Sequence, residues 1–492
     1  MAKSLSVLFV TPEVYPFSKE SGISDFCFSL SLALRDCGND VRVAMPKYGI
    51  ISERKNKIHD INRLRNIDIP IGDTSYPATV KSSSINNPRS KAQAYITTNF
   101  EFFDSRKGIY HDVVTWEEYE DNPERFIYFC RSIIETCVIL NWFPDIIHCH
   151  DWQTAALPAM AKILYPKLFK KTKFVFTFHN LTKQGVYNPN KFDLLGFDKT
   201  HLDNFIHKKQ FNFVKAGLIY SDAITTVSKQ YAIDILKDKD INNGLDKFIK
   251  DKGEFFTGIK TGIDTWIWNA KRDETIKTNF DGDFENYKYD NKVELINKFG
   301  LSYSPKTPLI AMISRIDAHK GIPLILEAAD ELFKNDIQFV FLGQGDDTLK
   351  AKLAEVSSKY PEKFQVKFTF DDNLAHLMEA GSDMFLIPSD YEPCGLNFMY
   401  SLSYGSFPIA HHSGGLNELA IDYTTDKENG NSILFDKWEA KSMLEAIGKG
   451  LELYKNKEEW FNITSRLLDS ELAWGENAKK YDELYRKMIK MD

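Results

Sequence analysis

The sequence predicts an α/β protein made of two doubly wound, Rossmann-like domains. Three observations lead to this prediction: the length of 492 residues, a composition typical of folded proteins, and short apolar runs that alternate with helical patterns. The length is about three times that of an average domain. Hydrophobic residues make up 43% and charged residues 27%, which excludes disordered, collagen-like and disulfide-scaffold proteins. Strands alternating with helices are typical of a parallel sheet with crossover helices.

The first half opens with an apolar run, Ser6–Val10, that predicts a buried strand. After a loop, Ser24–Asp36 has apolar residues at helical spacing, and Gly38 ends the predicted helix. Further strands are predicted at Val41–Ala44, Ala94–Ile96, Asp145–Cys149, Phe174–Phe178 and Ala223–Val227.

The alternation is interrupted at Asp264–Tyr289, a polar stretch that we interpret as a connector between domains. It then resumes with predicted strands at Leu309–Ile313, Gln338–Leu342, Phe364–Phe370, Asp383–Ile387 and Phe407–Ala410. A charged amphipathic helix from about Glu476 ends the chain. We therefore divide the chain into domains at residues 1–263 and 264–474, followed by the C-terminal segment 475–492.

Charge and cysteine content restrict the class of protein. The net charge of −7 argues against a general nucleic-acid-binding surface. The six cysteines form no CxxC pair, which is typical of reduced thiols. The first apolar run ends at Thr11 and Pro12, too early for a signal-peptide core, and no stretch approaches a membrane span. We expect a soluble, cytoplasmic protein.

Ligands of doubly wound sheets bind at the carboxyl ends of the strands, so we expect the site in a cleft between the domains. In the second half, Arg315 and Lys320 follow a strand and precede a helix, a combination that favours an anion such as a diphosphate. Glu392 follows the predicted strand Asp383–Ile387 and could accept hydrogen bonds from sugar hydroxyls. The loops around Gly395 and Ser413–Gly415 permit close backbone approach.

Polar residues also follow the strands of the first half. Lys19 lies before the first helix and could meet a phosphate, whereas Asp25 in the first helical turn suits the helix dipole. His148 and His150 share one face of a strand, but no third ligand lies at a spacing that indicates a metal site. His179 lies just past another strand, where both a structural and a functional role are open.

On these residues the chain resembles the bacterial glycogen synthases, or starch synthases, which are retaining glucosyltransferases of the GT-B fold. The matching segments follow the family order and span nearly the whole chain: Thr11–Asp25, His148–Pro158, Phe176–Gly185, Ala223–Tyr231, Gly262–Trp268, Ser314–Gly321, Phe341–Asp346, Ala375–Leu396 and Ser413–Leu416. The resemblance implies transfer of glucose from ADP-glucose to the non-reducing 4-OH end of an α-1,4-glucan such as glycogen or a maltooligosaccharide. It implies no cofactor and no metal, no nucleic-acid or membrane partner, and a C-terminal helix that crosses back to the N-terminal domain.

The resemblance also implies a role for each matching residue. The catalytic set is Glu392, Arg315, Lys320, His179 and Asp151. The donor-binding set is Lys19, Ser21, Gly22, Phe370, Cys394, Gly395, Leu396, Ser413, Gly414 and Gly415. The sugar and acceptor set is Asp25, Tyr110, Asn180 and Thr261.

The chain departs from the family pattern at several of these places. The family has glycine at Ser21, asparagine at Thr261, two arginines at His411-His412, Thr-Gln at Asn397-Phe398, threonine at Ser413 and tyrosine at Phe370. A side chain at Ser21 could clash with the donor. The charged residues Lys19, Arg315, Lys320 and Glu392 are all present, which favours an active synthase.

Three alternatives remain open at this point. The chain could use another donor such as UDP-glucose, or it could be a non-catalytic paralogue that binds glucan. A nicotinamide-dependent Rossmann enzyme is disfavoured because no GxGxxG follows the first strand.

Overall fold

The computed structural model describes residues 3–302, 304 and 306–490. The chain divides into two compact units. One comprises Met1–Gly262 together with Trp474–Asp492, and the other comprises Ile263–Ala473. No helix in the described part of the chain is both long and apolar enough to cross a membrane.

The first unit contains a ten-stranded sheet and a small three-stranded sheet. Its strands are β1 (Ser6–Val10), β2 (Asp40–Pro46), β3 (His59–Asp60), β4 (Ile67–Ile71), β5 (Thr74–Asn86), β6 (Lys91–Thr98), β7 (Ile146–His150), β8 (Lys173–Thr177), β9 (Val186–Tyr187), β10 (Ile206–His207), β11 (Gln210–Asn212), β12 (Ala223–Thr226) and β13 (Phe256–Gly258). Its helices within residues 1–262 are α1 (Gly22–Asp36), α2 (Asn122–Leu140), α3 (Leu157–Leu164), α4 (Phe213–Tyr220), α5 (Lys229–Lys237), α6 (Lys239–Asn242) and α7 (Asp246–Lys250).

The large sheet has the strand order β13-β12-β8-β7-β1-β2-β6-β5-β3, with β4 paired to β5. Strands from β13 to β6 along this order are parallel, whereas β5 pairs antiparallel with β6, β3 and β4. The chain extends the sheet from β1 towards β6 and then returns to add β7 on the other side of β1. The strand order therefore reverses between β1 and β7, which is a topological switch point.

The second unit is built on a six-stranded parallel sheet in the order β16-β15-β14-β17-β18-β19. Its strands are β14 (Leu309–Ile313), β15 (Gln338–Leu342), β16 (Phe364–Lys367), β17 (Met384–Ile387), β18 (Phe407–His411) and β19 (Ile433–Phe435). Its helices are α8 (Phe284–Phe299), α9 (Ile322–Leu332), α10 (Asp347–Lys359), α11 (Asp372–Gly381), α12 (Leu396–Ser403), α13 (Ala440–Lys455) and α14 (Lys457–Leu467). Here the order reverses between β14 and β17.

The final helix, α15 (Gly475–Ile489), belongs to the first unit. The Trp474 indole N–H donates to the Ser29 hydroxyl of α1 at 2.7 Å. On the same helix, the Tyr485 hydroxyl lies 2.7 Å from His148 Nδ1 at the carboxyl end of the sheet. Trp474 and Tyr485 thus bond the C-terminal segment to the first helix and to the sheet of the same unit.

Most predicted strands occur within two residues of their expected bounds, but the structure corrects two expectations. The antiparallel strands β3, β4 and β5 were not expected. The stretch Asp264–Tyr289 is not a free connector, because α8 begins at Phe284 and Trp268 packs into the core of the second unit. The Trp268 ring stacks on His376 and Tyr400, with centroids 3.8 Å and 3.6 Å away.

Candidate active site

Several predicted site residues follow the strands at the two switch points, β1 and β7 in the first unit and β14 and β17 in the second, and the others follow further strands of the same sheets or lie in nearby loops. The loop after β1 is held by a buried carboxylate, Glu13. Its oxygens accept hydrogen bonds from the N–H groups of Glu20 (2.6 Å) and Ser21 (3.2 Å), from the Ser21 hydroxyl (2.5 Å) and from the Tyr110 hydroxyl (3.1 Å). Burial raises the pKa of Glu13, although these hydrogen bonds oppose the rise. The loop is therefore fixed from inside the unit.

Ser21 caps α1. Its backbone is extended, with φ −139°, and its hydroxyl oxygen accepts the Ile23 N–H at 3.3 Å. Serine is a preferred residue at this position because its oxygen satisfies a free N–H of the first turn. The serine hydroxyl is bonded to Glu13 as well, and Gly22 is the first residue of the helix. The side chain that replaces a glycine is thus used within the fold.

Two pairs of polar side chains flank this loop. Lys19 Nζ lies 3.0 Å from Asp25 Oδ2, and the lysine side chain is 29% exposed. His111 Nε2 lies 3.1 Å from the Glu20 carboxylate. The structure thus places Lys19, Asp25 and Tyr110, which the sequence had assigned to donor and acceptor sets, around one loop.

Asp151, directly after β7, has a backbone conformation that is rare outside glycine, with φ 55° and ψ 179°. Such a conformation costs about 1–3 kcal/mol and is concentrated at functional sites. Two bonds hold it: the Asp151 N–H donates to the Thr177 carbonyl (2.9 Å), and Asp151 Oδ1 accepts the His179 N–H (2.6 Å). Burial raises the pKa of Asp151 to about 7, against the opposing effect of the His179 N–H.

His179 lies beside Asp151 at the end of the neighbouring strand β8. Its Nε2 is 3.3 Å from His150 Nδ1, and its ring packs edge-on against Phe26. Burial lowers the pKa of His179 to about 3, so the imidazole is neutral at neutral pH. Asn180, next in the chain, accepts the Thr182 N–H and hydroxyl through its side-chain oxygen and is used in a local turn.

In the second unit, Lys320 and Glu392 form an ion pair. Lys320 Nζ lies 2.8 Å from Glu392 Oε2, and the two side chains are 25% and 16% exposed. Burial by itself raises the pKa of Glu392, but the Lys320 ammonium and hydrogen bonds from Gly395 and Ser389 outweigh it and lower the pKa. The glutamate is therefore held ionised.

Three loops meet around this pair. The Gly415 N–H donates to the Glu392 carbonyl at 2.8 Å. Gly414 has φ +55°, and a Cβ there would lie 2.4 Å from the same carbonyl. Gly321 has φ +82°, and a Cβ there would lie 2.2 Å from the Pro388 carbonyl. Only glycine combines a positive φ with such a close approach to another backbone, so glycine is required at Gly321 and Gly414.

The other predicted residues of this unit lie on the same loops or near them. Arg315 is paired with Asp317 at 3.5 Å, and its side chain is 43% exposed. Gly395 precedes α12 with φ +83°, and Leu396 begins that helix. Phe370, after β16, has a ring that is 49% exposed. The remaining residues at these loops are Cys394, which is partly buried, and Ser413, whose buried hydroxyl has no hydrogen-bond partner among the described residues.

Several departures from the family pattern form hydrogen bonds or pack inside their own unit. The Thr261 hydroxyl donates to the Val227 carbonyl at 2.9 Å and the residue is buried. Asn397 donates to the Ile313 carbonyl at the end of β14 (2.7 Å). Phe398 is fully buried, and His411 Nδ1 lies 2.8 Å from the Ser389 carbonyl. The Thr261 side chain thus has a structural role, because its hydroxyl is hydrogen-bonded within the first unit.

Two residues at this site were missed by the sequence analysis. In the sequence, Glu13 is an acidic residue just after a buried strand, and no motif singles it out as functional. Cys27, on α1, offers a sulfur that lies with one nitrogen each of His150 and His179 in a group whose atoms are all within 4.8 Å of one another. The thiol in this group thus comes from a helix. The second imidazole is that of His179, whereas the sequence analysis had paired His150 with His148.

Comparison with known proteins agrees with this geometry. Residues 6–251 match the family described as starch synthase catalytic domain, and residues 296–466 match glycosyl transferases group 1. A glycogen synthase from Thermodesulfovibrio yellowstonii is 36% identical, with 99% of this chain and 98% of the relative covered. One from Chlorobaculum parvum is 33% identical, with 99% of both chains covered. The chain belongs to the glycogen and starch synthase family.

Solved structures agree with the family assignment. The catalytic domain of starch synthase IV from Arabidopsis thaliana, bound to ADP and acarbose, has a TM-score of 0.90 and 27% identity, with 99% of this chain and 100% of that chain covered. A sucrose-phosphate synthase from Thermosynechococcus elongatus, at 15% identity and a TM-score of 0.60, shares the fold. The chain is therefore a GT-B glycosyltransferase of glycogen or starch synthesis.

Proposed function

We propose that the chain transfers glucose from ADP-glucose to the non-reducing 4-OH end of an α-1,4-glucan with retention of configuration. In this proposal the second unit binds the nucleotide and its diphosphate. The first unit supplies groups for the transferred glucose and the acceptor.

The observation that carries the proposal is the Lys320–Glu392 ion pair within three glycine-containing loops. Departure of a nucleoside diphosphate develops negative charge on its oxygens. Lys320 and Arg315 follow one strand of the switch point and are the cations that would stabilise this charge, an effect that is often the largest in enzyme catalysis. Glu392 holds the ammonium in place and, being ionised, would accept hydrogen bonds from sugar hydroxyls.

The choice of ADP-glucose is supported by the Arabidopsis starch synthase IV catalytic domain, which holds ADP and acarbose. Phe370 offers a half-exposed ring that would stack on the nucleobase. The Gly395 and Leu396 backbone at the start of α12 would face a phosphate.

Retention is proposed to proceed by attack on the same face that the diphosphate leaves, with the diphosphate accepting the proton of the acceptor hydroxyl. Glu392 is paired with the Lys320 ammonium, which weakens its carboxylate as a nucleophile, and its lowered pKa does not suit a general acid. We therefore assign no covalent glycosyl-enzyme intermediate.

In the first unit, Asp151 and His179 are proposed to bind hydroxyls of the transferred glucose. His179 is neutral, so one ring nitrogen can donate while the other accepts. Asp151 is held by the His179 N–H in a strained conformation that the fold maintains at a cost, as expected for a functional residue.

The non-catalytic alternative was based on the departures at Ser21 and Thr261. Both side chains are hydrogen-bonded within the first unit, Ser21 to Glu13 and Thr261 to Val227. These hydrogen bonds explain how the loops accommodate Ser21 and Thr261. The two departures therefore supply no reason to expect a loss of activity.

The experiment is incubation of the full chain with a maltooligosaccharide and either ADP-glucose or UDP-glucose, with the product followed by proton NMR. We expect a chain longer by one glucose, an α-configured new bond from the first time point, and faster reaction with ADP-glucose. A β-configured first product would contradict retention, and faster reaction with UDP-glucose would contradict the donor assignment.

A further inference from the structure

The first unit contains a cluster of one thiol and two imidazoles that the glucosyl transfer does not require as a group. Cys27 lies on α1, His150 ends β7, and His179 follows β8. One donor atom of each lies within 4.8 Å of the others, and His150 Nδ1 is 3.3 Å from His179 Nε2. Ligand atoms of a tetrahedral zinc site, with bonds of about 2.0–2.3 Å, lie at similar separations.

The surroundings favour a soft or borderline metal ion over other ligands. Cys27 and His150 are fully buried, and the His150 ring packs against the rings of Phe9 and Phe26. His150 Nε2 is buried and has no hydrogen-bond partner within the described part of the chain. A buried nitrogen without a hydrogen-bond partner is costly, and a cation bound to Nε2 would supply the missing partner. Thiolate and imidazole are the ligands preferred by Zn²⁺ and similar ions.

The neighbouring groups complete the site. Asp151 Oδ1 accepts the His179 N–H, which fixes the position of that residue. This bond comes from the backbone N–H of His179, so it holds the chain from which the imidazole projects and leaves both ring nitrogens available. Three protein ligands leave a fourth position for water, as in zinc sites that are not purely structural.

We propose that Cys27, His150 and His179 form a binding site for Zn²⁺ or another thiophilic divalent cation, and that occupation of the site inhibits the enzyme. Binding forms one metal–sulfur and two metal–nitrogen bonds, breaks the His150–His179 hydrogen bond, and releases the thiol proton to solvent. Inhibition follows because the metal takes the imidazole of His179 that the proposed function assigns to the glucose. The inhibition rests on the proposed function, whereas the metal binding does not.

The experiment is titration of the chelator-treated full chain with Co²⁺, a spectroscopic probe for zinc sites. We expect one equivalent to produce the intense visible bands of a tetrahedral ion and a thiolate-to-cobalt charge-transfer band. Cys27→Ala should abolish the charge-transfer band and weaken binding by more than about 100-fold, since a ligand matters more than its second shell. Cys37→Ser, at the other end of α1, is the matched control and should bind as the wild type does.

His179→Ala is the second variant, and it keeps the thiol while losing one imidazole. It should retain a charge-transfer band at a higher Co²⁺ concentration. Absence of the band in the wild type, or its loss in Cys37→Ser with persistence in Cys27→Ala, would overturn the site.

Inhibition is measured separately, as the ratio of transfer rates with and without Zn²⁺ for each variant. The wild type should be inhibited and recover with a chelator, while the ratio for Cys27→Ala should stay near one. If Co²⁺ binds as expected but Zn²⁺ leaves the rate unchanged, the inhibitory role is overturned. If metal-free wild type transfers no glucose at all, the proposed function fails, and the cobalt spectrum still decides the metal site.

Discussion

The pKa values of Glu13 and Glu392 are shifted in opposite directions because the neighbours of the two carboxylates differ. Glu13 accepts hydrogen bonds from neutral donors only, and burial raises its pKa. Glu392 faces the Lys320 ammonium, which outweighs burial and lowers its pKa. Glu13 therefore holds a loop from inside the unit, whereas Glu392 remains the charged partner of Lys320.

Lys320 and Phe370 should affect different kinetic constants. Lys320→Ala removes a charge needed as the diphosphate leaves, so kcat should fall by about 100-fold or more. Phe370→Ala removes a stacking surface, so KM for ADP-glucose should rise about tenfold with a small change in kcat. Steady-state rates of ADP release measure both, with Lys334→Ala, an exposed lysine of the same unit, as control. Equal effects of both changes on both constants would refute this division of roles.

The position of a charged side chain could be predicted from the sequence where the side chain follows a strand, as for Arg315, Lys320 and Glu392. The sequence did not indicate Glu13 or Cys27, because their partners come from distant parts of the chain. Ser21 and Thr261 stood out as departures, but their hydrogen bonds depend on the position of Glu13 and of the Val227 carbonyl.

At the scale of elements, α8 carries a buried lysine that should make stability depend on pH. Lys288 Nζ donates to the Ser382 carbonyl (2.6 Å) and lies near Lys292, Asp383 and Glu379. Burial lowers the pKa of Lys288 to about 7. The unfolded chain has the ordinary lysine pKa, near 10.4, and so binds more protons above pH 7. The contribution of this group to stability therefore rises with pH between the two values.

The test compares urea unfolding of the wild type and Lys288→Met. The free energy of unfolding of the wild type, relative to the variant, should increase by about 2 kcal/mol between about pH 7 and pH 9. A difference that is constant or that falls over this range would contradict the pKa assigned to Lys288.

Helix α15 should stabilise the first unit through Tyr485. Its hydroxyl meets His148 Nδ1 at 2.7 Å, while His148 Nε2 meets the Thr177 hydroxyl at 2.5 Å. Tyr485→Phe leaves a buried ring nitrogen without this partner, so the free energy of unfolding should fall by about 1–3 kcal/mol. Thermal unfolding measures the change, with Tyr289→Phe, a half-exposed ring on α8, as control. Equal melting temperatures for the two variants would argue against this role.

Elements were predictable where apolar runs are short and bounded, as for β1, β14 and β15, whose observed bounds equal the expected ones. The antiparallel strand β5 was missed because polar and small residues dominate it, whereas β4 was missed although its three isoleucines alternate along the strand. The polar composition of Asp264–Tyr289 concealed a buried anchor, Trp268, and the start of α8.

At the scale of the whole molecule, each unit has a strand-order reversal in its own sheet, and several of the predicted site residues follow the strands at that reversal. The fold class could be predicted because the alternation of strands and helices persists through both halves. Which residues of each loop contact one another depends on backbone packing, such as the approach of Gly414 to Glu392, and that packing has no sequence signature beyond the glycines themselves.

The central claim is that this chain is an active synthase that uses ADP-glucose. Its most direct test is the rate of nucleoside-diphosphate release from ADP-glucose and from UDP-glucose, with and without glycogen. We predict ADP release that depends on glycogen, exceeds UDP release, and is lost in Glu392→Ala while glycogen binding is retained. Absence of release from both donors by a wild-type chain that still binds glycogen would contradict the account.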